Sequence, residues 1–340
     1  MSPAAWPRTE KLDEKLLHID PRRETFTDLT VRNFASLLRE GDLLVVNDAA
    51  TLPGSLRGKT AGGLPVEVRL LAHDVGSWTA VLFGPGDWRT PTEHRPPPPT
   101  LRPGEIIMFS DGLTASVWSV STISRRLVVL RFNREGAALW SALYGQGAPV
   151  QYAYMKGPLD LWLVQNGYGA RPWAVELPSA GRPLKWELLL DLTRKGVRMA
   201  RLTHGAGLSS TGDPELDAAL PLPERYDIPA ETVRLVEETR EGGARVVAVG
   251  TSVVRALEGN VATHGRLTAG EGVTDVLLGP GYRPRVVHGL LTGMHEPTGS
   301  HFALLAAFAP PALIQRAYRR AEELGYLCHE FGDSNLILAS

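Results

Sequence analysis

The sequence has a single cysteine, Cys328, in 340 residues. No disulfide framework can form within the chain, and a reducing, cytoplasmic setting fits. No apolar run approaches the roughly 20 residues needed to cross a bilayer, so no membrane partner is expected. The start, Met1-Ser2-Pro3-Ala4-Ala5-Trp6-Pro7, lacks a basic segment followed by an apolar one, so no signal peptide is indicated. Charge of one sign is also lacking: 36 Lys and Arg face 37 Asp and Glu, a formal net charge of −1. Overall attraction to nucleic acid is therefore absent, while a local basic face stays open. No CxxC, no HExxH and no Asp/Glu/His cluster with metal spacing occurs, so no metal is expected. A GxGxxG after the first strand is missing, which argues against a Rossmann dinucleotide site and a conventional Rossmann methyltransferase. A GxSxG elbow is missing too.

What is present is an ordinary soluble composition, 43% hydrophobic and 21% charged, long enough for two domains or one large one. Its 35 glycines and 26 prolines suggest many short elements and long loops. The clearest stretch runs from Ala244 to Glu258. Ala244 to Val249 reads as a strand buried on both faces of a parallel sheet. Gly250 allows a sharp turn. Thr251 or Ser252 can cap the helix that follows. That helix start would aim free N–H groups beyond the strand end, where open α/β sheets bind ligands. Arg255 and Glu258, three apart, share one helix face and can form an ion pair there.

Along the chain, Thr30 can cap a short helix, and Leu43 to Val46 is a buried strand leading into the polar pair Asn47-Asp48, read as a turn. From Val66 to Phe132 short runs recur at 66–72, 78–83, 106–109, 113–120 and 127–132, separated by turn residues. Such spacing indicates a small all-β barrel or sandwich, with Pro96 to Pro99 as an extended surface loop. Residues 146–183 are irregular and aromatic-rich. Beyond them helices alternate with strands: helices near 184–194, after Pro229, from Ser300 and up to Leu324, and strands at 197–202, 277–278, 286–291, 326–331 and 336–338. Such alternation indicates an α/β layered sheet.

Several turns, in order, resemble one known family. Val249-Gly250-Thr251-Ser252-Val253-Val254-Arg255-Ala256-Leu257-Glu258 resembles VGTTSVRxLE of the S-adenosylmethionine:tRNA ribosyltransferase-isomerase family of queuosine biosynthesis. Pro280-Gly281-Tyr282 resembles its PGY turn. Thr292, His295 and Pro297 match its TNFHLP segment in part, and Tyr318 and Gly332-Asp333 its C-terminal AY and YGDAM positions. Gly41 to Asn47 resembles GDLLVFN, and Gly63 to Glu67 resembles GGxxEVL. His204-Gly205-Ala206-Gly207 keeps most of HVGAGTF, and Glu224 keeps the acid of HxMHxE. The departures are specific. NNTRVxPAR has lost both arginines across Asn47 to Ser55, APTAGLHF has lost its His-Phe pair across Leu177 to Leu184, and HxMHxE has lost both histidines.

The resemblance implies an α/β layered mixed sheet with helices (1–53 and 136–340), carrying an inserted small antiparallel β-barrel domain (54–135). It implies S-adenosylmethionine (SAM) as cosubstrate. The ribosyl part would move to 7-aminomethyl-7-deazaguanine in tRNA, giving epoxyqueuosine and releasing adenine and methionine. A base, a general acid and groups that hold a methionine carboxylate and ammonium are then needed. His295, His204 and Glu224 are the catalytic candidates. Gly250, Thr251, Ser252, Arg255, Gly205, Gly207, Tyr282 and Asp333 are the candidates for holding SAM. Each has a plainer reading: a structural histidine, a solvated acid at Glu224, an Arg255–Glu258 ion pair, a turn at Asp333. Aromatic residues 152, 154, 162, 168 and 173 can stack on a base or simply pack. The lost arginines and histidines leave a small-molecule acceptor open, as well as a non-catalytic SAM- or RNA-binding protein.

Overall fold

In the computed structural model, which describes residues 1–297 and 300–340, nine strands form one mixed sheet. In spatial order they are Gly270–Thr274, Glu224–Ile228, Arg198–His204, Leu43–Asn47, Val246–Val249, Gly289–Gly293, Ser334–Ile337, Lys15–Asp20 and Thr25–Thr30. The middle four, from Arg198–His204 to Gly289–Gly293, run parallel. Antiparallel strands flank them on both sides.

Side chains alternate across a strand, so one apolar run feeds two cores. Val246 and Ala248 pack with Val253, Val254 and Leu257 of helix Thr251–His264. Val247 and Val249 pack on the opposite face with Leu188, Leu189 and Leu192 of helix Trp186–Arg194. Each fully buried Val or Leu contributes roughly 1.5–3 kcal/mol, which is why the unbroken apolar runs at 43–46 and 246–249 became the sheet centre.

The short runs between Ser55 and Phe132 close into an antiparallel six-stranded barrel: Thr114–Val120, Leu127–Phe132, Ser77–Phe83, Pro65–Asp74, Ser55–Thr60 and Ile106–Met108, the last returning to the first. Leu56, Val68, Leu82, Ile107, Ala115 and Leu130 point inward and are fully buried. Helix Gly136–Gln146 packs Leu139, Ala142 and Leu143 on that same core. Leu208 and Leu216, from the loop after His204, join it as well. The fold expected from the sequence, a layered mixed sheet with helices and an antiparallel barrel, is borne out.

Five local expectations need correction. Of the strand expected over 326–331, only Leu327–Cys328 forms, and the chain turns at His329 with φ 70°. No strand forms at 277–278, where Leu277 is exposed. The strand expected from Val286 begins only at Gly289. The reason is Glu258: its buried carboxylate accepts the N–H groups of Arg285, Val286 and Val287 at 2.9, 2.9 and 3.0 Å, so the backbone there bonds to a side chain instead of a neighbouring strand. Glu258 is consequently not the ion-pair partner of Arg255. Finally, neither Thr251 nor Ser252 caps its helix; Gly250 is the cap residue, at φ 95°, with no side-chain cap bond.

Asp333 shows how the chain ends are joined. Fully buried, it accepts the N–H groups of Lys15 and Leu327, both at 2.8 Å, and pairs with Arg8. Buried donors left without an acceptor cost about 1–3 kcal/mol each. Asp333→Ala should therefore lower the unfolding free energy by about 3 kcal/mol in urea titration; a loss below about 1 kcal/mol would show that these bonds are replaced by others.

Candidate active site

The parallel strands Arg198–His204, Val246–Val249 and Gly289–Gly293 end at one cavity of about 490 Å³. It lies beyond the strand carboxyl ends, the region where layered α/β sheets hold ligands, and its volume falls in the range of small-molecule sites.

His204 closes the first strand and is completely buried. Asn47, at the end of the adjacent strand, holds it by the backbone: its carbonyl oxygen accepts the His204 N–H at 2.9 Å and its amide donates to the His204 carbonyl at 3.0 Å. Next to it, Thr203 Oγ1 donates to Asp48 at 2.6 Å. The polar pair Asn47-Asp48 is thus a buried clamp rather than a simple turn.

The His204 Nε2 lies 3.3 Å from Glu224 Oε2, and Arg255 Nε lies 2.8 Å from the same oxygen. Gly207 N–H donates to the other carboxylate oxygen at 3.4 Å. Burial alone would raise the Glu224 carboxyl, but His204, Arg255 and this N–H together hold it down at about 2. The acid stays ionised although it sits in the protein interior. Arg255, on the first turn and a half of its helix, keeps Nη2 buried without a partner. A guanidinium with one edge engaged and another free suits a second anion. Gly250, Thr251 and Ser252 bring the helix start to the same wall, where unsatisfied N–H groups and the helix dipole favour negative charge.

His295 lines the same cavity. Its Nε2 is 2.8 Å from Thr292 Oγ1, and its backbone N–H donates to the Tyr318 hydroxyl at 3.2 Å. Burial, with His301 and His329 nearby, pushes its imidazole well below the ordinary value. A neutral ring of this kind is able to take a proton. The His301 ring lies 5.2 Å from it, and His329 bonds Glu296 at 3.0 Å.

More of the lining comes from residues that no motif singled out. Glu176 accepts the hydroxyls of Tyr152 and Ser209, and the Ser209 N–H at 2.9 Å. Glu330 accepts the hydroxyl of Tyr154, whose ring stacks against that of Tyr152. Burial and the neighbouring Glu330 push the Glu176 carboxyl up. Among the described residues, no group of three or more His, Cys, Asp and Glu has the arrangement of a metal site.

Of the residues expected from sequence, the fold brings His204, Glu224, His295, Gly207, Gly250, Thr251, Ser252 and Arg255 together around the cavity. Gly205 sits just behind, its N–H bonded to the Arg225 carbonyl. Tyr282 turns its hydroxyl to Glu258, and Asp333 ties the chain ends; neither lines the cavity. Glu224 is no solvated loop acid, since it begins a strand and is mostly buried. Trp162 is largely exposed, while Trp173 packs under Arg225 at 3.9 Å. Glu176, His301, His329 and Glu330 belong to no motif read from the sequence, so only the tertiary structure reveals them. The altered segment Leu177 to Ala180 lines the cavity, but Arg182 turns away to a buried pair with Glu14.

Comparison with known proteins gives a consistent picture. A family model described as queuosine biosynthesis protein matches residues 2–337. The S-adenosylmethionine:tRNA ribosyltransferase-isomerase of Trichlorobacter lovleyi is 31% identical over 342 residues, covering 98% of this chain and 96% of the relative. The same-named protein of Rhodospirillum rubrum is 33% identical over 325 residues, covering 92% of this chain and 88% of the relative. A crystal structure of S-adenosylmethionine tRNA ribosyltransferase from Thermotoga maritima superposes with a TM-score of 0.54 at 25% identity, covering 99% of this chain and 96% of that one.

The low Glu224 value has a measurable consequence. A carboxylate lowered on folding from its ordinary 4.5 to about 2 stabilises the folded state above pH 4.5, and that contribution is lost as pH falls through about 2. Thermal melts should show wild type more stable than Glu224→Gln at pH 7, with the gap closing between pH 4.5 and about 2. A gap independent of pH would mean that Glu224 is not ionised against His204 and Arg255.

Proposed function

Since the chain belongs to the queuosine biosynthesis protein family, we propose that it catalyses the reaction for which its relatives are named: transfer and isomerisation of the SAM ribosyl group onto 7-aminomethyl-7-deazaguanine in tRNA. The products are epoxyqueuosine in tRNA, adenine and methionine. The observation that carries this reading is the convergence of the signature stretch 249–258, His204–Glu224 and His295 on one cavity at the strand ends. A similarity confined to the scaffold would not require those side chains to meet.

In this reading, residues 1–53 and 136–340 form the SAM-binding catalytic domain and 54–135 an inserted domain. Arg255 holds the methionine carboxylate with its free Nη2, and the helix start at Gly250, Thr251 and Ser252, with Gly207, adapts the backbone to the ligand. Gly205, Tyr282 and Asp333 serve by positioning these elements. His295, held by Thr292, is the base, and its neutral ring is suited to removing the proton beside the sulfonium. Glu224 keeps His204 oriented, and His204 supplies a proton to a leaving group. tRNA is preferred to a small-molecule acceptor because the relatives are named for tRNA and span nearly the whole chain. A buried free Cys328 and the absence, among the described residues, of a helix long and apolar enough to cross a membrane fit a cytoplasmic tRNA enzyme.

Incubating the protein with SAM and tRNA carrying the aminomethyl base, then analysing digested nucleosides by mass spectrometry, tests the reading directly. Epoxyqueuosine with equimolar adenine is the expected result; unmodified tRNA would refute it. Arg255→Lys keeps a cation beside Glu224 but loses the second donor edge. Calorimetry should then show SAM affinity reduced roughly tenfold to a hundredfold, whereas unchanged affinity would leave Arg255 with an ion-pair role alone.

A further inference from the structure

Glu176 and Glu330 differ from Glu224 and Glu296 on the cavity wall, while Asp217 there has, like them, neutral donors: the Thr211 hydroxyl and the N–H groups of Thr211 and Gly212. Glu224 has His204 and Arg255, and Glu296 has His329. Glu176 and Glu330 have only neutral donors among the described residues: Tyr152 and Ser209 for the first, Tyr154 for the second. Both face the cavity. Two acids brought together in a low-dielectric wall with no cation are an electrostatic debt. The upward push that Glu330 exerts on the Glu176 carboxyl is its expression.

The shortage of positive charge does not come from a poorly formed site. Lining the same cavity, Arg255 is 5% exposed and His204 0% exposed, and among the described residues Arg255 Nη2 and His204 Nδ1 have no hydrogen-bond partner. Unpartnered polar atoms and carboxylates held only by neutral donors line one cavity, which suits a ligand carrying both kinds of charge. The two acids are also held rigidly. Tyr152 and Tyr154 stack with ring centroids 6.1 Å apart. The Tyr152 ring packs near Arg69, and Arg69 bonds Glu67 at 2.7 Å inside the barrel. Glu330 is fixed next to His329, whose ring lies 4.6 Å from that of Tyr154.

We propose that Glu176 and Glu330 form a binding site for a primary ammonium group. Among the described residues Glu330 accepts only the Tyr154 hydroxyl, so most of its four lone-pair directions remain for N–H donors. An ammonium presents three N–H donors and one positive charge, which matches two adjacent carboxylates. A sulfonium offers charge but no N–H and would leave those acceptors unbonded. Glu224, already paired with Arg255 and in contact with His204, is not available for this purpose. This inference rests on the function proposed above, and within that reaction two groups have the required chemistry: the α-ammonium of SAM and the aminomethyl group of the acceptor base.

The test uses the full chain with Glu176→Gln and Glu330→Gln made separately, each checked for wild-type melting, so that one variant remains informative if the other fails to fold. Calorimetry with SAM and with S-adenosylhomocysteine, which keeps the ammonium and lacks the sulfonium charge, is combined with acceptor-tRNA kinetics. If the site takes the SAM ammonium, both nucleosides lose affinity by roughly tenfold to a hundredfold. If it takes the acceptor amine, both affinities stay unchanged while the KM for the tRNA rises by a similar factor. Loss for SAM but not for S-adenosylhomocysteine would point to the sulfonium and overturn the proposal. No change in either affinity or KM would overturn it as well. A wild-type protein that binds neither nucleoside would refute the underlying function, an outcome separable from failure of the ammonium site alone.

Discussion

The buried carboxylate of Glu224 is the constraint around which the cavity is arranged. An isolated charge at that depth would be expelled or protonated, because desolvation costs several kcal/mol even after relaxation. It remains ionised because two other elements deliver donors to it: His204 from the end of one strand and Arg255 from the first turns of a helix. Three separate segments therefore meet at one atom, Glu224 Oε2. Removing both partners would leave the charge uncompensated, a loss of about 3–5 kcal/mol in comparable buried pairs. The same geometry leaves Arg255 Nη2 buried without a partner among the described residues.

Groups of both signs line the cavity: Arg255, His204 and the helix start at Gly250, and the carboxylates of Glu176 and Glu330. His295 stands on the wall with a ring kept neutral by its surroundings. The barrel takes part in this arrangement at a distance. Arg126 donates to the Thr211 carbonyl at 3.2 Å and Ser124 to Asp213 at 2.6 Å, tying the loop after His204 to the barrel. Leu208 and Leu216 of that loop are buried in the barrel core, while Leu220 and Pro221 reach the cavity. A shift of the barrel would be felt at the cavity rim through covalently continuous, packed residues.

How far this could be read in advance differs from residue to residue. The apolar runs at 43–46 and 246–249 announced buried strands, and the turn at Gly250 announced a ligand-facing helix start, because both depend on local chemistry. Arg255 and Glu258 show the limit. Helical spacing puts them on one face, yet Arg255 pairs with Glu224 and Glu258 caps three backbone N–H groups of residues 285–287. Helical spacing cannot say which distant partner arrives first. The motif around Asp333 was visible too, but its carboxylate holds Lys15 and Leu327 rather than the cavity. Arg182, standing in an altered motif, is drawn away by Glu14.

The sequence by itself determined the alternation that makes a layered sheet, the turn chemistry of the short barrel strands, and the family to which the chain belongs. Those are properties of neighbouring residues, of periodicity and of order along the chain. Only the tertiary structure decided which polar groups end up unpaired. Glu176 lies in an irregular segment, His301 in a helix and His329 and Glu330 in a turn after a short strand, and nothing in their local sequence distinguishes them from surface residues. Whether a carboxylate is a solvated acid or half of a binding site depends on what reaches it across the fold, and that is settled by the sum of long-range contacts.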